Sequence, residues 1–513
     1  MTNSELPGNS AERLRWFNEI GFGLFIHWSI DSQIGSVIGH SMAGASEDYL
    51  NRYTQDLPAL FNPKRFDPDE WAALARLAGI RYVVFTTKHH SGFCMFHTDT
   101  TPFNIANTPF GRDITGEVIE AFRKQDIAIG LYFSPDDFHF LYQRNLPLHR
   151  GVKPEECEGL LAHNQAQLRE LLSNYGSIDM LFFDGPSDGL RELCWQIDSE
   201  IVVTRGAIRT PEQYIPGIQS AEPWEACVTM GSGWQYKPTN EQYKSGTQII
   251  ELLIETRAKG GNLLLNIGPK PNGELPIEQE ALMREIALWN FVNGESIYQV
   301  EPWRIPFEGE VWLAAKRGTD TVYAFVESED PWPYRQRREI SLCSVRASES
   351  TTVHLLGQAD DIEVEERAAV EWRQEGDELR IIAARTQRLY NNRRWPNPVV
   401  LKITHAELGL IPPTVITGVA EPGGNPALFQ LNADLVDLGE NQNVEVGFQY
   451  RLKKLLTDPL HSWEETDFEL SSSTGEYASS VGGLDEGARY EFRAVVRHRG
   501  IAIYGESVTF TTG

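Results

Sequence analysis

Up to about residue 303 the chain alternates short apolar runs with helical patterns, and after that point strand-like runs separated by turns take over. A run of four to six apolar residues followed by a helix reads as a strand buried on both faces, feeding a crossover that returns parallel to it. Phe22–His27, Arg81–Thr86, Ile127–Tyr132 and Ile178–Phe183 are such runs, and Ile201–Thr204, Ala226–Met230 and Leu263–Ile267 are further candidates. The spacing predicts a (β/α)8-like barrel of the TIM type, irregular because fewer than eight clean units can be counted. One helix is well marked. Asp67 can cap it, Pro68 suits its first position, Glu70 has capping-box spacing, and Trp71, Leu74, Ala75 and Ala78 share a face before Gly79. A second pattern, with Leu160, Leu161, Leu168, Leu171 and Leu172, leads into the fourth strand.

The second half reads as all-β. Val311–Leu313, Val322–Val326 and Val353–Leu356 suggest a β-sandwich, and Pro412-Pro413 makes a stiff boundary. Beyond it Val444, Val446, Phe448 and Tyr450 alternate with polar or small residues. Leu484–Phe492 resembles the E–F corner of fibronectin type III domains, with Tyr490 as the corner tyrosine. The fold class is therefore multidomain, α/β plus all-β. It comprises a catalytic barrel over 1–303, a β-sandwich over 304–410 and a fibronectin type III-like sandwich over 411–513.

A formal charge of −26 argues against nucleic acid and anionic membranes as partners. A neutral glycan is indifferent to that field. The five cysteines are scattered and form no C-x-x-C pair, so neither a zinc site nor a disulfide framework is expected. Met1–Ser4 shows no basic or apolar leader pattern, and no stretch approaches a membrane span, which leads to a cytoplasmic, reducing compartment as the expectation. Whether the chain forms a homo-oligomer stays open.

Barrel enzymes place their chemistry at the C-terminal ends of the strands. The polar groups beside the apolar runs are few: His27; Lys88, His89 and His90; Tyr132 and Ser134; Asp184; Arg205; and Glu225 just before Ala226. Rings and hydroxyls of this kind bind sugar hydroxyls, and two carboxylates can cleave a glycosidic bond. Each residue also has a structural reading. Asp184 can cap a turn, His27 can be a core histidine, Trp28 can be core, and Glu225 can be a loop charge. His89-His90 should point apart on an extended segment and lack a third ligand, so no metal or cofactor is expected.

At these residues the chain resembles the α-L-fucosidases of glycoside hydrolase family 29, over roughly residues 12–303. The resemblance rests on Phe22–Trp28, Thr87–Phe93, Phe183–Gly185, Pro223–Cys227 and Gly260–Pro269. It implies an exo-acting, retaining hydrolase of terminal α-L-fucosyl linkages, acting on a fucosylated oligosaccharide or glycoconjugate. Asp184 would be the nucleophile and Glu225 the general acid/base, with Glu222 and Glu47 as rivals. His27, Trp28, Glu47, His89, His90, Tyr132, Phe182 and Arg205 are the candidate substrate-binding residues, with Arg209 competing for the arginine role. Fucose carries a methyl in place of a C6 hydroxyl, and Phe182 would offer it an apolar wall. Ser29, Ser91 and the loop Gly44–Tyr49 depart from the family pattern, which leaves linkage preference open. A catalytically dead fucose-binding protein and an enzyme acting on sulfated fucans are the competing readings. The C-terminal sandwiches read as structural props rather than carbohydrate-binding modules. Deleting residues 411–513 should accordingly leave polysaccharide binding unchanged in a pull-down. A loss of binding would make that sandwich a binding module.

Overall fold

The computed structural model describes residues 8–327, 330–390, 394–424, 427–453, 463–498 and 501–513, so Met1–Ser4, on which the reading of the leader rested, lie outside the described residues. Two compact units emerge. One comprises residues 1–212, 223–249 and 261–294, and the other 213–222, 250–260 and 295–513.

The first unit is built on seven parallel strands: β1 (Phe22–Ile26), β2 (Tyr82–Lys88), β3 (Ala128–Phe133), β4 (Met180–Phe183), β5 (Val202–Val203), β6 (Glu225–Thr229) and β7 (Asn262–Ile267). Their order is β5-β4-β3-β2-β1-β7-β6, the circular neighbour order of a barrel with its seam between β5 and β6. At the seam the chain improvises. Arg209 and Glu212 make parallel bridges to Trp224 and Cys227, and the amides of Glu225 and Cys227 donate to the carbonyls of Arg209 and Pro211 at 3.1 and 3.0 Å. An irregular segment thus stands beside β6 where an eighth strand would run. It lacks an apolar run because only part of it is laddered.

The strands are almost wholly buried, which is why they read as continuous apolar runs rather than alternating ones. Phe25, Tyr82, Val84, Tyr132, Met180, Phe182, Val202, Cys227 and Leu264 form one cluster, joined by Phe17 from the helix Ala11–Ile20. The capped helix runs Pro68–Leu77. The Asp67 side chain accepts from the amides of Asp69 and Glu70, and Gly79 takes a left-handed φ of 86° just past the end. Among the described residues no helix is long and apolar enough to cross a membrane.

The second unit is antiparallel. Val300–Glu308, Val311–Lys316, Val322–Val326, Val399–Leu408 and Val345–Leu355 form a five-stranded sheet, and Arg337–Leu342, Glu378–Ala384 and Val370–Glu375 a three-stranded one. The last hundred residues form a further sandwich around Leu431, Leu435, Phe448, Phe492 and Val496. There Tyr490 Oη accepts the amide of Asp485 at 3.1 Å, the corner bond anticipated from Leu484–Phe492. A small core of Ile305, Cys343, Leu410 and Ile501 joins residues from both sandwiches, which accounts for their forming one unit.

One close approach inside the barrel can be tested directly. A Cβ on Gly23 would lie 2.3 Å from the Tyr82 ring, so β1 needs glycine at that position. Gly23→Ala should lower the stability of the first unit by about 1–3 kcal/mol, the range for overpacking a filled core. Denaturant unfolding followed by tryptophan fluorescence checks this, and an unchanged midpoint would show that Tyr82 yields freely.

Candidate active site

Asp184 is the first residue beyond β4, and its amide donates to Phe133 O at 3.2 Å, which aims the side chain over the strand ends. Its Oδ2 accepts from Tyr132 Oη at 2.8 Å, with His90 Nε2 3.2 Å away. Its Oδ1 accepts from Arg150 Nη2 at 2.9 Å and Arg205 Nη1 at 3.3 Å. Burial works against the charged form, but His90, Arg205 and Arg150 outweigh it and hold the carboxyl well below the usual range. Burial and the neighbouring carboxylate in turn keep Tyr132 a phenol, pushed well above its ordinary value.

Around this carboxylate stands a set of rings. His27 Nδ1 donates to Asn266 Oδ1 at 2.6 Å, since the Asn266 amide nitrogen donates to Trp234 O. His89 stacks on Tyr132 at a centroid distance of 5.1 Å, and its ring Nδ1 has no hydrogen-bond partner among the described residues. His40, from the loop after β1, packs against His89 and His90. Burial lowers His27 to about 3 and His40 to about 4, and with help from His90 and His27 it pushes His89 well down as well. These three rings are neutral near pH 7, so their open nitrogens suit uncharged hydroxyl partners. Phe182 stacks on Tyr132 at 5.7 Å and meets Phe25 at 4.9 Å, and Trp234 lies 4.9 Å from His27, giving the site apolar surface beside its polar groups.

The chain leaves β2 at Lys88 and turns, so the alternation expected for His89 and His90 is lost and their rings lie 4.3 Å apart. Sequence reading found them no third ligand, yet donor atoms of His89, His90 and Asp184 gather within 4.8 Å. Two guanidinia already hold that carboxylate, and their charge opposes a cation, so the cluster is better matched to hydroxyls. Lys88 is buried on Asn164 Oδ1 at 2.7 Å and pairs with Asp137 at 3.4 Å. It braces the loops instead of facing a ligand.

Asp184, His27, His89, His90, Tyr132, Phe182 and Arg205 are thus brought together. Three other candidates are placed elsewhere. Trp28 is fully buried among Phe61, Phe66 and Trp71, a core position. Glu47 is the exposed first residue of the helix Glu47–Leu60, and no contact links it to this cluster among the described residues. Glu225 is the first residue of β6, not a residue beyond a strand's C-terminal end. It is wholly buried, accepts from Tyr82 Oη at 2.6 Å and makes no hydrogen bond or ion pair with Asp184 among the described residues. The reason is local: Trp224-Glu225 precedes the apolar run Ala226–Met230, so it enters β6 at the end of the sheet opposite to the one that carries Asp184. Glu222 and Arg209 are exposed.

Four residues escaped the sequence reading: His40, Arg150, Glu212 and Asn266. Glu212 is the most consequential. Arg205 Nη2 meets its Oε2 at 2.7 Å while Nη1 holds Asp184, so one guanidinium links two carboxylates. Glu212 ends the irregular segment at the seam, and with no apolar run before it the strand-end rule had nothing to count. Asn266, inside Leu263–Ile267, could have been found as the polar residue in an apolar run.

Comparison with known proteins converges on one family. The family model described as alpha-L-fucosidase matches residues 4–295. Tissue alpha-L-fucosidase of Mus musculus is 31% identical over 392 residues, covering 68% of this chain and 84% of the relative. Alpha-L-fucosidase of Branchiostoma floridae is 29% identical over 391 residues, covering 67% and 84%. Among solved structures, alpha-L-fucosidase isoenzyme 1 from Paenibacillus thiaminolyticus superposes with a TM-score of 0.63 at 26% identity, covering 77% of this chain and 99% of that one.

The placement of Glu225 has a measurable consequence for stability. Burial pushes its carboxyl from an ordinary 4.5 up to about 7, against the lowering effect of Tyr82, Thr204 and Arg205. A carboxyl raised in the fold keeps a proton that the unfolded chain gives up, so its contribution is full below about 4.5 and lost as pH rises through about 7. That loss is on the order of 3 kcal/mol. Glu225→Gln should therefore flatten the pH dependence of unfolding between pH 5 and 8 and be the more stable protein at the upper end. Parallel slopes for variant and wild type would mean that Glu225 is charged in the fold.

Proposed function

The chain belongs to the α-L-fucosidases of glycoside hydrolase family 29, and on that premise we propose that it removes terminal α-L-fucosyl residues from glycans by a retaining double displacement on Asp184. The observation that carries this reading is the pair of carboxylates, Asp184 and Glu212, facing one guanidinium of Arg205 at 3.3 and 2.7 Å. A gap spanned by one guanidinium suits the separation of about 5–5.5 Å that a retaining pair needs.

In the first step an Asp184 oxygen bonds to the anomeric carbon while the glycosidic bond breaks, and Glu212 gives its proton to the departing oxygen. In the second step Glu212 takes a proton from water, whose oxygen displaces the Asp184 ester. Asp184 is suited to its part because His90, Arg205 and Arg150 keep it ionised despite burial. Glu212 has its side chain 41% exposed, open to an incoming acceptor and to exchange of its proton with solvent. His27, His89 and the Tyr132 hydroxyl recognise sugar hydroxyls, and Phe182, Phe25 and Trp234 offer apolar surface to the C6 methyl. The second reading, with Glu225 as the acid/base, is favoured by its carboxyl being raised to about 7, a value fit for proton transfer.

Azide separates these roles. Asp184→Ala should lower turnover of an aryl α-L-fucoside at least ~1,000-fold, with azide restoring it and yielding β-fucosyl azide. Glu212→Ala should lose far more activity on an oligosaccharide than on the activated aryl fucoside, by ~100-fold or more, with azide yielding α-fucosyl azide. Rescue of Glu225→Ala to the α-azide, with none for Glu212→Ala, would move the acid/base role to Glu225. Wild-type turnover in Asp184→Ala would remove the nucleophile assignment.

A further inference from the structure

Both oxygens of Asp184 are crowded. Tyr132 and His90 sit at one and the two guanidinia at the other. The four neighbours differ in how they are held. Tyr132 lies on β3 and His90 just past β2, both buried, and Arg205 is braced by Glu212. Arg150 comes from a loop, and its side chain is 46% exposed against 13% for Asp184.

The guanidinia also differ in what remains to them once Asp184 becomes an ester. Arg205 keeps Glu212 at 2.7 Å. The other carboxylate near Arg150 is Asp136, 3.9 Å from its Nε, and Asp136 already accepts the amides of Gly151 and Val152 at 3.1 and 3.0 Å. Those two bonds fix the base of the Arg150 loop over the site. They leave the guanidinium poorly compensated whenever Asp184 is neutral.

We propose that Arg150 is a further catalytic residue, acting mainly in the second step. It caps the free carboxylate in the resting enzyme, lifts off for attack, and returns to stabilise the carboxylate as it is expelled from the anomeric carbon. The inference rests on Asp184 being the nucleophile. In that step the water oxygen bonds to the anomeric carbon, the bond from that carbon to Asp184 breaks with its electron pair going to the carboxylate, and Glu212 takes the water proton. The charge that reappears on Asp184 is the one Arg150 is placed to meet.

Pre-steady-state kinetics of full-length Arg150→Gln and Arg150→Lys on 4-nitrophenyl α-L-fucoside test this. For Arg150→Gln, kcat and KM should both fall about tenfold with kcat/KM nearly kept, because slow release of the ester lets it accumulate. A burst of about one nitrophenol per active site should appear. Enzyme labelled with 2-fluoro-fucosyl fluoride should reactivate more slowly than wild type. The acid limb of kcat/KM should move to higher pH, since Asp184 then keeps only His90, Tyr132 and Arg205 beside it. Arg150→Lys should fall between. A rise in KM with kcat/KM falling and no burst would overturn the proposal in favour of a binding role, as would constants that do not move at all. Absence of labelling at Asp184 in the wild type would instead strike the nucleophile reading beneath it.

Discussion

A nearly buried carboxylate that must stay ionised sets the terms for the catalytic unit. Water cannot solvate it, so the fold has to supply donors from several directions at once. Asp184 collects Tyr132 from β3, His90 from just past β2, Arg205 from the segment after β5 and Arg150 from the loop beyond β3. Parallel strands in the order β5-β4-β3-β2 bring such distant positions to one end. The ring also leaves the central face of each strand free to fill the interior with Phe25, Tyr132 and Phe182.

Acidic and basic groups alternate around the site. Three carboxyl groups, Asp184, Glu212 and Asp136, lie beside two guanidinia, Arg150 and Arg205, while His27, His40 and His89 are driven neutral by burial. On the proposed reading, a neutral sugar meets fixed dipoles and lone pairs on one side and the charged network of Asp184 on the other. The chain's overall charge of −26 lies largely elsewhere.

What could be read from the sequence followed from regularity. Strands buried on both faces leave unbroken apolar runs, and the polar residues beyond them, His27, His89, His90, Asp184 and Arg205, fall where barrel geometry collects them. Tyr490 was legible because its corner has a local pattern. The rest depended on irregular chain. Arg150 and His40 sit in loops whose paths no periodicity reveals, and Glu212 closes a seam with too few ladder bonds to carry an apolar signature. Glu225 took its proposed role from the family resemblance, since it precedes its apolar run and the strand-end rule does not select it. The bond from Tyr82 holds it at the entrance to β6. Trp28 followed an apolar run yet turned into an aromatic cluster, a choice made by tertiary packing.

The seam between β5 and β6 matters beyond closing the ring. The residues proposed to read the sugar hang on fully laddered strands or immediately past them, whereas Glu212 ends a stretch tied to β6 by isolated bridges. Lengthening or re-routing that stretch would disturb few sheet bonds, so on the proposed assignment the proton donor can be repositioned against new acceptors while the grip on the terminal sugar is kept. A lineage built on this plan can diversify the bonds it cuts without relearning the sugar it removes.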